Sequence, residues 1–166
     1  MIRVGIGYDV HRFARKRKLV LGGVELEYKR GLDGHSDADV LVHAVMDALL
    51  GAAALGDIGE HFPAGDAAYK GIDSCVLLEK VVDLLCKHDW VVGNIDAVIV
   101  AYEPVLAQYI PGMRKRIAEV CRVDVDKVSV KATSENGLGL AGRGIGAHSV
   151  CTILRKEVCE EACKET

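Results

Sequence analysis

Apolar and polar residues change their period several times along this chain, and each change marks an element. The opening MIRVGIGYDVH alternates as a strand does, with residues two apart on one face, and predicts a strand over residues 1–8. A second strand is predicted over about 18–27. The basic run between them, Arg12 to Lys18, reads as a solvated loop. From about Ala38 to Leu55 the period becomes helical, with Leu41, Ala44, Val45, Ala48 and Ala52 as a buried stripe and Ser36 as the expected N-cap. Residues 56–73, rich in Gly, Asp and Pro, read as a long loop, a length that usually signals function. Ser74 then caps a second helix, CVLLEKVVDLLCKHD, whose Val76, Leu77, Val81, Leu84 and Leu85 recur at helical spacing. A strand (Asn94 to Tyr102), a helix (about Pro111 to Cys121), a strand (Lys127 to Thr133), a glycine-rich loop and a last strand (Ala147 to Leu154) follow. The alternation predicts an α+β (α/β mixed-sheet) domain over 1–155, its sheet packed by helices, and a charged tail over 156–166.

Composition narrows the function. The chain has 166 residues, half of them hydrophobic, with a formal charge of −3, which is not a nucleic-acid-binding balance. No uninterrupted apolar run approaches the ~18 residues of a membrane span. The N-terminus enters a strand directly, with no signal or transit pattern, so a cytoplasmic protein is expected. Six cysteines in a chain of this size fit reduced thiols better than a disulfide framework. Cys159 and Cys163, four apart in the tail, read as a reduced pair.

The candidate chemistry starts with Asp9 and His11 in GYDVH. Two apart on a strand, they project together, and His43 sits on the first predicted helix, which can lie over that strand. Three ligands of this kind with an open fourth position make a catalytic metal site of the zinc type. Asp and His are also common at strand ends, so the trio stands as a candidate. His43 lies opposite the buried stripe and shares its face with Asp39 and Asp47, and Asp47 is the expected partner for its free ring nitrogen. His35 and Ser36, just before the helix, face an anion or simply form a loop beside a cap.

Gly137-Leu-Gly-Leu-Ala-Gly142 matches GxGxxG, but a strand-like segment follows it where a dinucleotide fold needs a helix, so that reading is rejected. Thr133, Ser134, Glu135 and Arg143 around it either hold a diphosphate or decorate a glycine-rich hairpin. No GxSxG elbow frames a nucleophilic serine.

Taken together, GYDVHRF, GHSDADVLVHAVMDALLGAAALGDIGEHFP and KATSENGLGLAGRGIG resemble the 2-C-methyl-D-erythritol 2,4-cyclodiphosphate synthase family, in register from the first strand to the last. The resemblance implies conversion of 4-diphosphocytidyl-2-C-methyl-D-erythritol 2-phosphate to the cyclic diphosphate with release of CMP, in the non-mevalonate isoprenoid pathway. It also implies a homotrimer with sites between subunits. By matching positions, Asp9, His11 and His43 would hold Zn²⁺ or another divalent cation, and Mg²⁺ or Mn²⁺ would bridge the substrate diphosphate. His35 and Ser134 would stabilise the transition state. Asp9, His11, His35, Ser36, Asp57, Ile58, Gly59, Phe62 and Asp66 would contact the substrate's metal-bound and methylerythritol end. Ala101, Pro104, Ala107, Thr133, Ser134, Glu135, Asn136, Leu140 and Arg143 would contact the rest. Three positions depart from the family pattern: Asn136 replaces a cation-binding glutamate, with Glu135 one place earlier, Leu140 a phenylalanine, and Val105 a lysine. A phosphohydrolase with a water nucleophile, and a phosphate-binding protein with a structural metal, are rival uses of the same trio.

Overall fold

In the computed structural model, which describes residues 1–140 and 142–156, the opening alternation continues well past residue 8. Strand β1 spans Ile2–Ala14, and β2 (Leu19–Leu21) and β3 (Val24–Leu26) form a small hairpin. The expected single strand over 18–27 breaks at Gly22–Gly23, whose φ of +59° and +71° suit glycine and a tight turn. A short β4 (Gly31–Leu32) precedes helix α1 (Val40–Ala53). The segment expected to be loop carries a short helix α2 (Ile58–His61) and a 3-10 turn, Ala67–Tyr69. Helix α3 (Ser74–Lys87), strand β5 (Trp90–Val100), helix α4 (Ile110–Cys121), strand β6 (Val128–Thr133) and strand β7 (Gly144–Arg155) complete the order.

Five strands form one mixed sheet in the order β4-β1-β7-β5-β6. Only β5 and β6 run parallel, joined through α4, and the other neighbours are antiparallel. Helix α1 lies on β1, β7 and β5, α3 packs beside it and α4 packs on α3 and β6, so the core fills the space between the helices and one sheet face. Along β1 the alternation divides cleanly: Gly5, Gly7, Asp9 and His11 turn toward α1, whereas Ile2, Val4, Ile6, Tyr8 and Val10 stand exposed on the opposite face. Among the described residues, no helix is long and apolar enough to cross a membrane.

Both helix caps fall one to three residues from where the sequence places them. Asp39, not Ser36, caps α1, its carboxylate accepting from the Val42 N–H at 3.1 Å. Asp73, not Ser74, caps α3, accepting from the Cys75 N–H at 2.7 Å. Asp39 is also fully buried and accepts from the Gly22 and Gly23 amides at 2.9 and 2.6 Å, which ties the β2–β3 turn to the start of α1. Burial pushes its carboxyl above the ordinary range. The predicted stripe of α1 widens to nearly the whole helix, because β1, β7 and α3 enclose it on several sides. Within this largely exposed run Arg17 is half-buried: its guanidinium donates to the carbonyls of Gly34 at 2.6 Å and Ser36 at 2.5 Å, and so pins the turn that carries His35. The thiols of Cys75, Cys121 and Cys151 are buried and free, with burial pushing Cys75 and Cys151 up to about 12. Cys159, Cys163 and nearly all of the expected tail lie outside the described residues.

Candidate active site

Strand β1 delivers Asp9 and His11 to its helix-facing side, and α1 lowers His43 between them. Oδ2 of Asp9 lies 2.8 Å from Nδ1 of His43 and 2.9 Å from Nε2 of His11, and the two ring nitrogens are 3.3 Å apart. One carboxylate oxygen and two imidazole nitrogens thus converge on a single point, as the sequence spacing predicted. This is the donor set of a divalent cation with a position left for substrate, and the residues fit such an ion. Electrostatics agree. Burial alone would raise the Asp9 carboxyl, but hydrogen bonds from His11 and His43 outweigh it and hold Asp9 well below the usual carboxylate range. Burial would lower His11, yet its hydrogen bond to Asp9 and that negative charge raise it above 6.5.

The expected partner of His43 is replaced. Asp47 turns away and accepts from the Ile58 N–H at 2.9 Å, which fastens α2 to α1; burial is the largest reason its carboxyl lies above the ordinary value. The Nε2 of His43 meets the hydroxyls of Ser74 at 3.0 Å and Ser36 at 3.1 Å. Sequence reasoning took both serines for helix caps. The local signal is ambiguous, since HSDAD and DSC each offer Ser and Asp side by side.

The trio opens onto a cavity of about 220 Å³ lined also by His35, Ser36, Ile58, Gly59 and Phe62 from the predicted set. Met46, Ala64, Tyr69 and Leu77 complete its wall and were not anticipated; Phe62 and Tyr69 meet edge to face, centroids 5.5 Å apart. The wall is mostly apolar with the polar trio at its floor, the usual make-up of a small-molecule site. Asp57 and Asp66 act on backbone: Asp57 accepts from the Glu60 N–H at 3.1 Å, and Asp66 from the Ala68 N–H at 2.9 Å. The Asp66 carbonyl accepts from Nε2 of His35 at 2.9 Å, holding that ring at the cavity rim.

The remaining predicted residues gather elsewhere. Ala101, Pro104, Ala107, Thr133 and Ser134 line a separate hollow of about 330 Å³ with Tyr102, Val105, Leu106 and Ile110. It opens at the end of β6, three strands from β1, or roughly 14 Å across the sheet at the usual strand spacing. Leu140 and Arg143 line a third hollow beside Val10, His11 and Arg12. The glycine-rich loop holds its own shape: Glu135 accepts from the Leu140 N–H at 2.8 Å, Arg143 donates to the Gly139 carbonyl at 2.7 Å, and Glu135 and Asn136 both take positive φ. One chain therefore brings the metal trio together with His35, Ser36, Ile58, Gly59 and Phe62, and keeps Thr133 and Ser134 apart from them.

The YgbB family model matches residues 2–156. A 2-C-methyl-D-erythritol 2,4-cyclodiphosphate synthase of Desulforamulus reducens is 58% identical over 154 residues, covering 92% of this chain and 98% of that protein. Among solved structures, the bifunctional IspDF of Campylobacter jejuni superposes with a TM-score of 0.89 at 38% identity, over 93% of this chain and 42% of that one. A 2C-methyl-D-erythritol-2,4-cyclodiphosphate synthase solved in a CDP-bound form gives a TM-score of 0.84 at 31% identity, over 92% of this chain and all of that one, 100%.

Proposed function

The chain belongs to the YgbB family, and from that membership we propose that it catalyses the reaction of a 2-C-methyl-D-erythritol 2,4-cyclodiphosphate synthase. In that reaction an oxygen of the substrate's 2-phosphate attacks the β-phosphorus of the cytidyl diphosphate arm. The β-phosphorus–oxygen bond to the α-phosphate breaks, and CMP leaves. The observation that carries the reading is the convergence of Asp9, His11 and His43 at the floor of a cavity walled by Ile58, Gly59 and Phe62.

The nucleophile belongs to the substrate, so the protein's work is to fold a polyanion until two of its own groups meet. His35 and Ser36 face the metal-side phosphate, and Phe62 and Ile58 exclude water from the polyol. Ser134 and Thr133 offer hydroxyls to the diphosphate from the second hollow, and Ala101, Pro104 and Ala107 flank the base. Asp9, His11 and His43 would hold a divalent cation of the zinc type, and with Mg²⁺ or Mn²⁺ on the diphosphate it would supply Lewis acidity and neutralise the leaving charge.

Because the metal cavity and the nucleotide hollow lie apart in one chain, we assign the two ends of the substrate to the metal cavity of one copy and the nucleotide hollow of another. The exposed apolar row on β1, with Ile6 72% and Val4 65% exposed, supports a homotrimer in which copies cover that sheet face. Buried free thiols support a reducing, cytoplasmic setting.

Phosphorus NMR of the purified protein with the cytidyl substrate, Zn²⁺ and Mg²⁺ tests the proposal. CMP together with a coupled pair of ring-diphosphate signals is expected. CMP with a linear product would make the chain a hydrolase, and no turnover with metal bound would overturn the substrate assignment.

A further inference from the structure

Behind the metal trio lies a closed hydrogen-bonded chain whose protons can be placed by counting. Asp37 gathers three donors: the Ser74 hydroxyl at 2.5 Å, the Ser74 N–H at 3.1 Å and the Asp39 N–H at 3.1 Å. An ionised carboxylate only accepts, so the single hydroxyl proton of Ser74 belongs to Asp37. The two lone pairs of Ser74 Oγ then face Nε2 of His43 at 3.0 Å and the hydroxyl of Ser36 at 3.3 Å, and both of those groups must donate. Ser36 has its own proton free for this, because its oxygen accepts from the Ala38 N–H at 3.1 Å. Ser36 Oγ also lies 3.1 Å from Nε2 of His43, but a proton given there would leave Nε2 and Ser74 Oγ facing each other as two acceptors at 3.0 Å, so the direction that satisfies every group runs from His43 through Ser74 to Asp37. Ser36, His43 and Ser74 are all buried, where a reversed and unsatisfied arrangement would be costly.

We propose that Asp37, acting through Ser74, is the positioning device of the metal site: it keeps a proton on Nε2 of His43, so that a cation replacing the proton that Nδ1 shares with Asp9 in the metal-free fold meets the Nδ1 lone pair beside Asp9 and His11. This deepens the metal reading above and rests on it. Ligating histidines need such a partner on their other nitrogen, and here a serine relays the role that a carboxylate often fills directly. The relay also joins three parts of the chain, since Asp37 precedes α1, His43 lies within it and Ser74 begins α3.

The test is zinc affinity, read by competition with a chromophoric chelator, together with ¹⁵N long-range NMR of the histidine rings. Ser74→Ala is expected to weaken zinc about 10- to 100-fold while the far-ultraviolet spectrum stays native. Ser74→Thr keeps the hydroxyl and restores affinity to within a few-fold. Asp37→Ala weakens zinc to the same degree, and the double variant loses no more than either single one, as expected of residues acting in series. In the unaltered zinc-loaded protein His43 carries its proton on Nε2, and that proton exchanges with water faster in Ser74→Ala. Unchanged affinity in Ser74→Ala, or a zinc-loaded His43 with no proton on Nε2, overturns the relay. An unaltered chain that takes up no zinc ends the metal reading instead, and in the ring spectra of that chain a proton on Nε2 of His43 still supports the relay while its absence overturns it.

Discussion

A Cβ built on Gly7 would stand 2.0 Å from the carbonyl oxygen of Ala44, and one on Gly5 would meet Ala48 at the same distance. Two strand residues rise about 6.8 Å and one helical turn about 5.4 Å, so the two glycines let β1 and α1 run backbone against backbone over a full turn. That approach sets the metal site, because Asp9 is the next residue on the same strand face and His43 adjoins Ala44. Gly7→Ala forces the helix away at the point where the ligands meet. A loss of about 3 kcal/mol, the upper end of overpacking costs, is expected in denaturant melts, with zinc affinity falling alongside. An unchanged melt and unchanged affinity would show that the close packing does not position the site.

These glycines also show what a sequence conceals. GIGYDVH reads correctly as a strand, and its period puts Asp9 and His11 on one face, but nothing local says that a helix presses on Gly5 and Gly7. The metal trio was legible because a strand period and a helix period each determine a direction. The His43 environment was not, because an amphipathic pattern cannot tell a solvated polar face from one closed by α3. Cap positions were uncertain for a different reason: in HSDAD and DSC, Ser and Asp compete for the same backbone amides, and tertiary contacts decide between them. The glycine pair at 22–23 did carry a hairpin signal, and the apolar residues on either side masked it.

The pH response of His11 reverses between the metal-free and metal-bound protein. In the metal-free fold Asp9 raises His11 above 6.5 despite burial. A base with a raised folded pKa stabilises through its charged form, so its contribution is complete below about pH 6.5 and lost as pH rises through the raised value. Asp9, held below its ordinary 3.8, contributes above that value and loses its part as pH falls through the lowered one. In chelator-treated protein at one fixed concentration, the melting difference between the unaltered chain and His11→Asn is therefore larger at pH 6 than at pH 9.5. Zinc requires the neutral ring, so zinc affinity of the unaltered chain falls as pH drops through the same raised value. A melting gap that widens toward pH 9.5 would contradict this coupling.

The exposed row on β1 gives a direct test of assembly. Ile6 sits at its centre with Val4 and Tyr8 on either side, and Val150 pairs with it across β7. Ile6→Lys places a charge in the middle of the face without touching the helix side of the strand. Light scattering after size exclusion is expected to show a trimer for the unaltered chain and mostly monomer for the variant. Turnover should fall with the trimer, whereas zinc affinity per chain stays within a few-fold, because Asp9, His11 and His43 come from one copy. A variant that remains trimeric would move the interface elsewhere.

Glu135 and Asn136 separate two uses of the glycine-rich loop. Glu135 turns its carboxylate back to the Leu140 N–H at 2.8 Å, and Gly139 has room for that carboxylate only because it lacks a Cβ. A carboxylate so placed holds the loop from inside and leaves its other oxygen outside that hydrogen bond. Asn136, where relatives are expected to carry glutamate, offers a neutral amide that binds a divalent cation weakly. Glu135→Ala is expected to lower kcat/KM at least tenfold and to raise the Mg²⁺ concentration needed for half-maximal rate. Asn136→Ala should change either quantity less than threefold. Glu135→Gln divides the two roles, since its amide oxygen still accepts from Leu140 while the charge is gone. A Gln variant with normal kcat/KM and normal Mg²⁺ demand would leave Glu135 as a loop brace, and equal small effects of both alanine variants would remove this loop from cation binding altogether.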